Sequence, residues 1–159
     1  VAIGERETTP QLYERLCRVG AEALLETLDA LETGTAVAKD QDHAHASRAP
    51  KLRKEEGAVD WTAPARTLFN RIRAFKPFPG TYCTMEGRRL GIEWAEPIDE
   101  GHSSTISPGT VVAVAGEWFD VACGEGILRV VEVKPAGRTA MSAADFMRGT
   151  LIREGMVLR

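Results

Sequence analysis

The chain has 159 residues, of which 43% are hydrophobic and 6% aromatic, with a formal net charge of −3. That is enough apolar material for one packed domain with an appendage, its core carried by aliphatic side chains, and no apolar run is long enough to span a bilayer. The overall charge is too small to name a partner, but residues 48–76 hold eight Lys or Arg against three Asp or Glu, a local excess that can attract phosphate or simply form a solvated surface.

Taken in chain order, Thr8, Thr9 and Pro10 open a helix that runs to about Glu32, with Gly34 as its stop. At about 100° per residue, Glu14, Arg15, Arg18, Glu22, Glu26 and Asp29 share one arc, while Leu12, Leu16, Leu24, Leu28 and Leu31 belong to an apolar remainder. So much apolar girth asks for a partner, and the residues that follow offer little, so the partner is expected in a missing N-terminal portion. A second possibility is that the C-terminal half covers it. The chain does not begin with Met, which suggests a piece of a longer or processed product. Residues 33–50 are small and polar and read as a linker. His43 and His45 sit there beside Asp40 and Asp42; mobile and flanked by acids, they read as solvated groups and not as metal ligands.

Next comes KLRKEEGAVDW, residues 51–61, with Trp61 as an anchor. Thr62 is expected to cap a second helix with Pro64 in its first turn, an apolar stripe of Ala65, Leu68, Phe69, Ile72 and Phe75, and an end at Pro77 and Pro79. Arg66 and Arg73 lie on one flank of that stripe and Arg71 on the other.

After Gly80 the pattern turns to five short runs rich in β-branched and aromatic residues. TYCTME and RLGIEWAE flank a turn at Gly87 and Arg88; TVVAVA and WFDVAC flank Gly116 and Glu117; ILRVVEV follows Gly124, Glu125 and Gly126. Five such strands fit a mainly β fold, a small open OB-like barrel with a helix before it and a short helix after it, started by Ser142 and Asp145. Residues 98–108 are its longest loop. His102, with Asp99 and Glu100 nearby, has no nucleophile to serve, and Ser103, Ser104 and Ser107 match no nucleophile elbow. Gly124 and Gly126 read as a hairpin turn and not as a phosphate loop.

Cys17, Cys83 and Cys123 are far apart and fit neither a disulfide framework nor a zinc spacing; free thiols in a reducing cytoplasm are expected. The better candidates for function are cations: Lys51, Arg53 and Lys54 before Trp61, Arg71, Arg73 and Lys76 on the second helix, and Lys134 and Arg138 around Pro135, Ala136 and Gly137. Small barrels of this kind bind nucleic acid through a basic face. For Arg71 a structural and a binding role both stay open.

Four stretches carry a resemblance: RLCRVGAEALLETLDALETG (15–34), KLRKEEGAVDW (51–61), IRAFKPFPGTY (72–82) and GEGILRVVEVKPAGRTAMSAADFMRG (124–149). In this order and spacing they resemble the C-terminal part of the methionyl-tRNA formyltransferase family. The resemblance implies that residues 1–34 are the closing helix of a Rossmann-like catalytic domain, 35–61 a basic linker, and 62–159 an OB-like domain that helps hold initiator methionyl-tRNA. It implies 10-formyltetrahydrofolate as the formyl donor of the parent enzyme, with no cofactor in this segment, a cytoplasmic and monomeric protein, and tRNA contacts at Lys51 and Lys54, with Arg73, Lys134 and Arg138 as further candidates. The family's catalytic Asn, His and Asp and its Ser-Leu-Leu-Pro stretch have no counterpart: Asn70 is the single asparagine, so the segment alone is expected to be inactive. Two other readings remain, the C-terminal module of a related enzyme acting on formyl groups of a sugar nucleotide or folate, and a purely structural module.

Overall fold

The computed structural model describes residues 1–98 and 106–159, and the chain divides into two compact units, residues 1–52 and 53–159. His102, Asp99, Glu100, Ser103 and Ser104 lie outside the described residues, as does most of the long loop.

In the first unit, helix α1 spans Thr9–Glu32. The Thr8 amide donates to the Gln11 side-chain oxygen at 2.9 Å, and the turn after the helix closes on Gly34 at φ 69°, where the Thr35 amide reaches back to the Ala30 carbonyl at 2.8 Å. Arg15 clasps Glu7 through two hydrogen bonds of 2.9 and 2.8 Å. α1 buries none of its residues; Leu24, Leu25 and Leu28 are 59%, 63% and 51% exposed. The apolar face expected from the sequence is therefore present and uncovered within its own unit. Beyond it, a single turn at His43–His45 is held by Asp42, which accepts from the Ala44 amide and from His45 Nδ1.

The second unit opens with a 3₁₀ turn, Lys54–Gly57, followed by helix α2, Ala65–Ala74. Thr62 does not cap that helix. Its hydroxyl and amide donate to Asp60, 2.6 and 3.0 Å away, which holds the Asp60 carboxyl below its usual range. Pro64 takes the capping position, and the Ala65 amide is satisfied from outside the helix by the Glu125 carbonyl at 2.8 Å. Ala65, Leu68, Phe69 and Ile72 of the expected stripe are buried, while Phe75 falls just after the helix and is half-buried.

The strands are β1 Thr81–Met85, β2 Arg88–Ile98, β3 Val111–Val114, β4 Phe119–Ala122, β5 Ile127–Pro135 and β6 Met141–Ser142, and α3 spans Ala143–Gly149. Each of the five predicted runs forms one strand, with β2 and β5 extending beyond theirs; β6 is the addition. The sheet is antiparallel in the order β1-β2-β5-β4-β3, with β6 beside β5. β4 takes the first part of one edge of β5 and β6 pairs further along it, at Glu132 and Val133. The turn between β1 and β2 is Glu86 and Gly87, not Gly87 and Arg88: both carry positive φ, 48° and 78°, as a two-residue hairpin loop demands, and Arg88 already pairs with Met85. Ser142 Oγ accepts from the Asp145 amide at 3.0 Å and starts α3 as expected.

The core lies between the sheet, α2 and α3. Phe69 meets Trp94 edge to face at 5.7 Å, and Phe119, Leu128, Val130 and Val133 are fully enclosed. The C-terminal segment joins the two outer strands. Arg159 exchanges backbone hydrogen bonds with Thr84 of β1, the Leu158 amide donates to the Gly109 carbonyl at 2.8 Å, and the Val111 amide to the Met156 carbonyl at 2.8 Å. Gly109, at φ 86°, lies so close to the Leu158 carbonyl that a side chain there would strike it, and it would also crowd the Trp61 ring. Leu158, 1% exposed, pins the segment from inside. Leu158→Ala is expected to lower unfolding stability by about 2–5 kcal/mol, read by urea denaturation; a drop under about 1 kcal/mol would mean that the tail is not part of the core.

Candidate nucleic-acid interface

The basic turn is fixed by its backbone. The Val59 amide donates to the Tyr82 carbonyl at 2.8 Å, and Ala58 bridges to Tyr82, so the chain leaving the turn runs along the edge of β1 that faces away from β2, next to the Arg159–Thr84 pair. Gly57 makes this approach possible: a Cβ at that position would collide with the Gly80 carbonyl and stand 3.3 Å from the Tyr82 ring. Inside the turn, Glu56 accepts the Arg53 amide at 2.6 Å. From α2, Arg71 donates to the Glu56 carbonyl at 2.8 Å. Arg53 and Lys54 are thereby held exposed at the sheet edge. Lys51, also exposed, belongs to the first unit.

Three cations of α2 and its end, Arg71, Arg73 and Lys76, are occupied. Arg71 holds the turn and lies 5.4 Å from the Phe75 ring centre. Arg73 donates to the Asn70 side chain at 3.0 Å and lies 5.9 Å from the Phe69 ring. Lys76 sits 3.9 Å from both Glu93 and Glu132 and 5.5 Å from the Trp94 ring, so two carboxylates offset its charge. Such contacts leave less of each cation for an outside anion.

Lys134 and Arg138 remain exposed. Strand register places them beside two further arginines that no sequence motif singles out. Lys134 pairs with Gly91, which pairs on its other side with Tyr82. The Ala136 amide reaches the Arg89 carbonyl at 3.3 Å. Arg89 and Arg88, both exposed, therefore join the loop that carries Arg138. The Arg89 guanidinium lies 3.5 Å from the centre of the Tyr82 ring, a stacking contact that fixes its position. Tyr82 is thus the hinge of the arrangement, with the basic turn on one side and Arg89 on the other. The sequence signal for Arg88 and Arg89 is the adjacent pair itself. Its meaning needs the pairing of β2 with β5, which no local pattern contains.

Arg129 shows the contrast. It also stacks on an aromatic ring, 3.6 Å from Trp118, but it forms a fork of 2.8 and 2.9 Å with the buried carboxylate of Asp120. That cation belongs to the fold.

Among the described residues, no three His, Cys, Asp or Glu side chains gather to hold a metal ion. Burial pushes the thiols of Cys83 and Cys123 up to about 12, which keeps them protonated and inert at neutral pH, while Cys17 is exposed. The arrangement therefore offers no nucleophile from these two thiols. What it offers is a set of exposed cations around the turn beside β1, the start of β2 and the loop after β5, which suits a polyanion.

The family profile described as "Formyl transferase, C-terminal domain" matches residues 51–151. The chain is 45% identical over 154 residues to a methionyl-tRNA formyltransferase of Chlamydia muridarum, covering 94% of this chain and 48% of that protein. It is 37% identical over 158 residues to a methionyl-tRNA formyltransferase of Geobacter metallireducens, covering 99% of this chain and 50% of that protein. The chain thus spans about half the length of these relatives. Among solved structures, a variant of HypX from Aquifex aeolicus superposes with a TM-score of 0.67 at 20% identity, over 94% of this chain and 28% of the other. HypX from the same organism in complex with tetrahydrofolic acid superposes with a TM-score of 0.58 at 22% identity, over 79% of this chain and 22% of the other. At these identities the likeness to HypX concerns the fold.

Gly57→Ala should cost about 1–3 kcal/mol of stability, because the added methyl meets backbone and cannot be relieved by a rotamer change. Chemical denaturation reads this directly. A neutral substitution would show that the turn is not seated against Gly80.

Proposed function

Because the chain belongs to the formyl transferase C-terminal domain family, we propose that it is the tRNA-holding part of a methionyl-tRNA formyltransferase. In this reading the parent enzyme moves a formyl group from 10-formyltetrahydrofolate to the methionine amine on initiator tRNA in the cytoplasm. The present chain positions the tRNA. The groups that perform the transfer lie elsewhere in the parent, since the family's Ser-Leu-Leu-Pro stretch is not in this sequence and Asn70, its single asparagine, is spent on Arg73.

The observation that carries the reading is the seating of the basic turn. Holding Arg53 and Lys54 on the edge of β1 removes much of the entropy cost of ordering them against phosphate. Lys51, Lys134 and Arg138 extend the charged surface by contact with the tRNA backbone. Arg71 serves by holding the turn through Glu56, and Arg73 and Lys76 contribute at the flank of α2, weakened by their internal partners. Phosphate contacts of this kind set register and orientation without reading sequence.

Two features of the fold take on roles in this reading. The tail bonded to Thr84 and Gly109 closes the sheet into an OB-like barrel, whose rigidity keeps the edge in place. The bare apolar face of α1 packs as the closing helix of the catalytic domain, and Lys51 belongs to the basic linker that follows it in sequence.

The test is salt dependence. Removing one cation that neutralises a phosphate should reduce the slope of log affinity against log salt by about 0.7–0.9. Changing Lys51, Arg53 and Lys54 together to Ala should therefore flatten the slope for initiator tRNA by about 2–3. An unchanged slope would remove all three from the binding surface.

A further inference from the structure

Beside the stacked pair of Tyr82 and Arg89 lies a groove of about 560 Å³, bounded by the β1–β2 turn, the loop after β5 and α3. Its lining has two kinds of surface. Arg88, Arg89 and Arg138 supply guanidinium groups; Met85, Met141 and Phe146 supply apolar surface. Arg88 and Arg138 are exposed and have no carboxylate partner among the described residues. Two acids also line the groove. Asp145 is taken up by Arg148 and by the Ser142 hydroxyl, which donates to it at 2.8 Å, and Glu86 sits exposed at the turn. The balance is three arginines against one carboxylate without an internal partner.

The groove thus combines an apolar floor and a planar cationic rim in a volume within the range of small-ligand sites. A simple phosphate would use only the rim. A paired helix would present backbone but no base to the floor. An unpaired nucleotide uses both, its base against Met85, Met141 and Phe146 and its phosphate at Arg88 and Arg138. We propose that this groove holds one unpaired nucleotide of the bound RNA. The inference rests on the RNA-holding reading above and adds to it a preference for RNA with unpaired bases.

The 159-residue chain and its Arg88→Ala, Arg138→Ala double variant are compared for binding to initiator tRNA and to a blunt-ended, fully paired RNA duplex of equal length. Both residues are exposed, and equal melting temperatures confirm an intact fold. The double variant should bind the tRNA about tenfold more weakly and the duplex within about twofold of the parent chain. Equal weakening on both RNAs would overturn the proposal, because the arginines would then serve any backbone. Unchanged binding to both would overturn it as well. If the unaltered chain bound neither RNA, the RNA-holding reading itself would fall, which is a different result from either of these.

Discussion

The contact between Gly57 and the backbone at Gly80 governs how this molecule presents its charge. A chain entering a domain through a basic segment ordinarily leaves that segment mobile, and mobile charges gain little from a specific partner. Here the missing side chain at Gly57 lets the turn lie against the end of α2 and the start of β1. Two further bonds then hold it, from Val59 to Tyr82 and from Arg71 to Glu56. The position of Arg53 and Lys54 follows from this, and so does the crowding that places Tyr82 between the turn and Arg89.

The cations sort by what they touch. Arg129 is paired with a buried carboxylate, and removing either partner would leave the other desolvated and alone. Arg71, Arg73 and Lys76 are intermediate, each with internal hydrogen bonds, ring contacts or carboxylates. Among the described residues, Arg53, Lys54, Arg88, Lys134 and Arg138 are exposed and lack a carboxylate partner. This last group contributes little to stability, since exposed charges rarely do. The proposed tRNA surface draws on this group, which spreads from the turn beside β1 to the start of β2, the end of β5 and the loop after it.

Much of the architecture is legible in the sequence because the signals are local. Thr8, Pro10 and Gly34 bound α1; glycines separate runs of β-branched residues; Ser142 and Asp145 start α3. The failures share a cause. Thr62 looks like a helix cap, but Asp60 two residues before it competes for its hydroxyl, and the helix amide at Ala65 finds Glu125 from another loop. The hairpin turn shifts by one residue because Glu86 tolerates positive φ, which sequence preference assigns to glycine. β6, the pairing of the tail with Thr84 and Gly109, and the grouping of Arg88 with Arg138 all depend on long-range register. The candidate cations are recognisable as residue types, while their division into occupied and available groups emerges only from the folded arrangement.

The central claim is that the seated turn, Tyr82, Arg89 and the loop after β5 form a single binding surface. Hydrogen exchange of the chain with and without initiator tRNA tests it most directly. Protection should rise together at residues 53–58, 82–91 and 134–138 and stay unchanged on β3 and β4. Protection confined to β3 and β4, or spread evenly over the molecule, would contradict it.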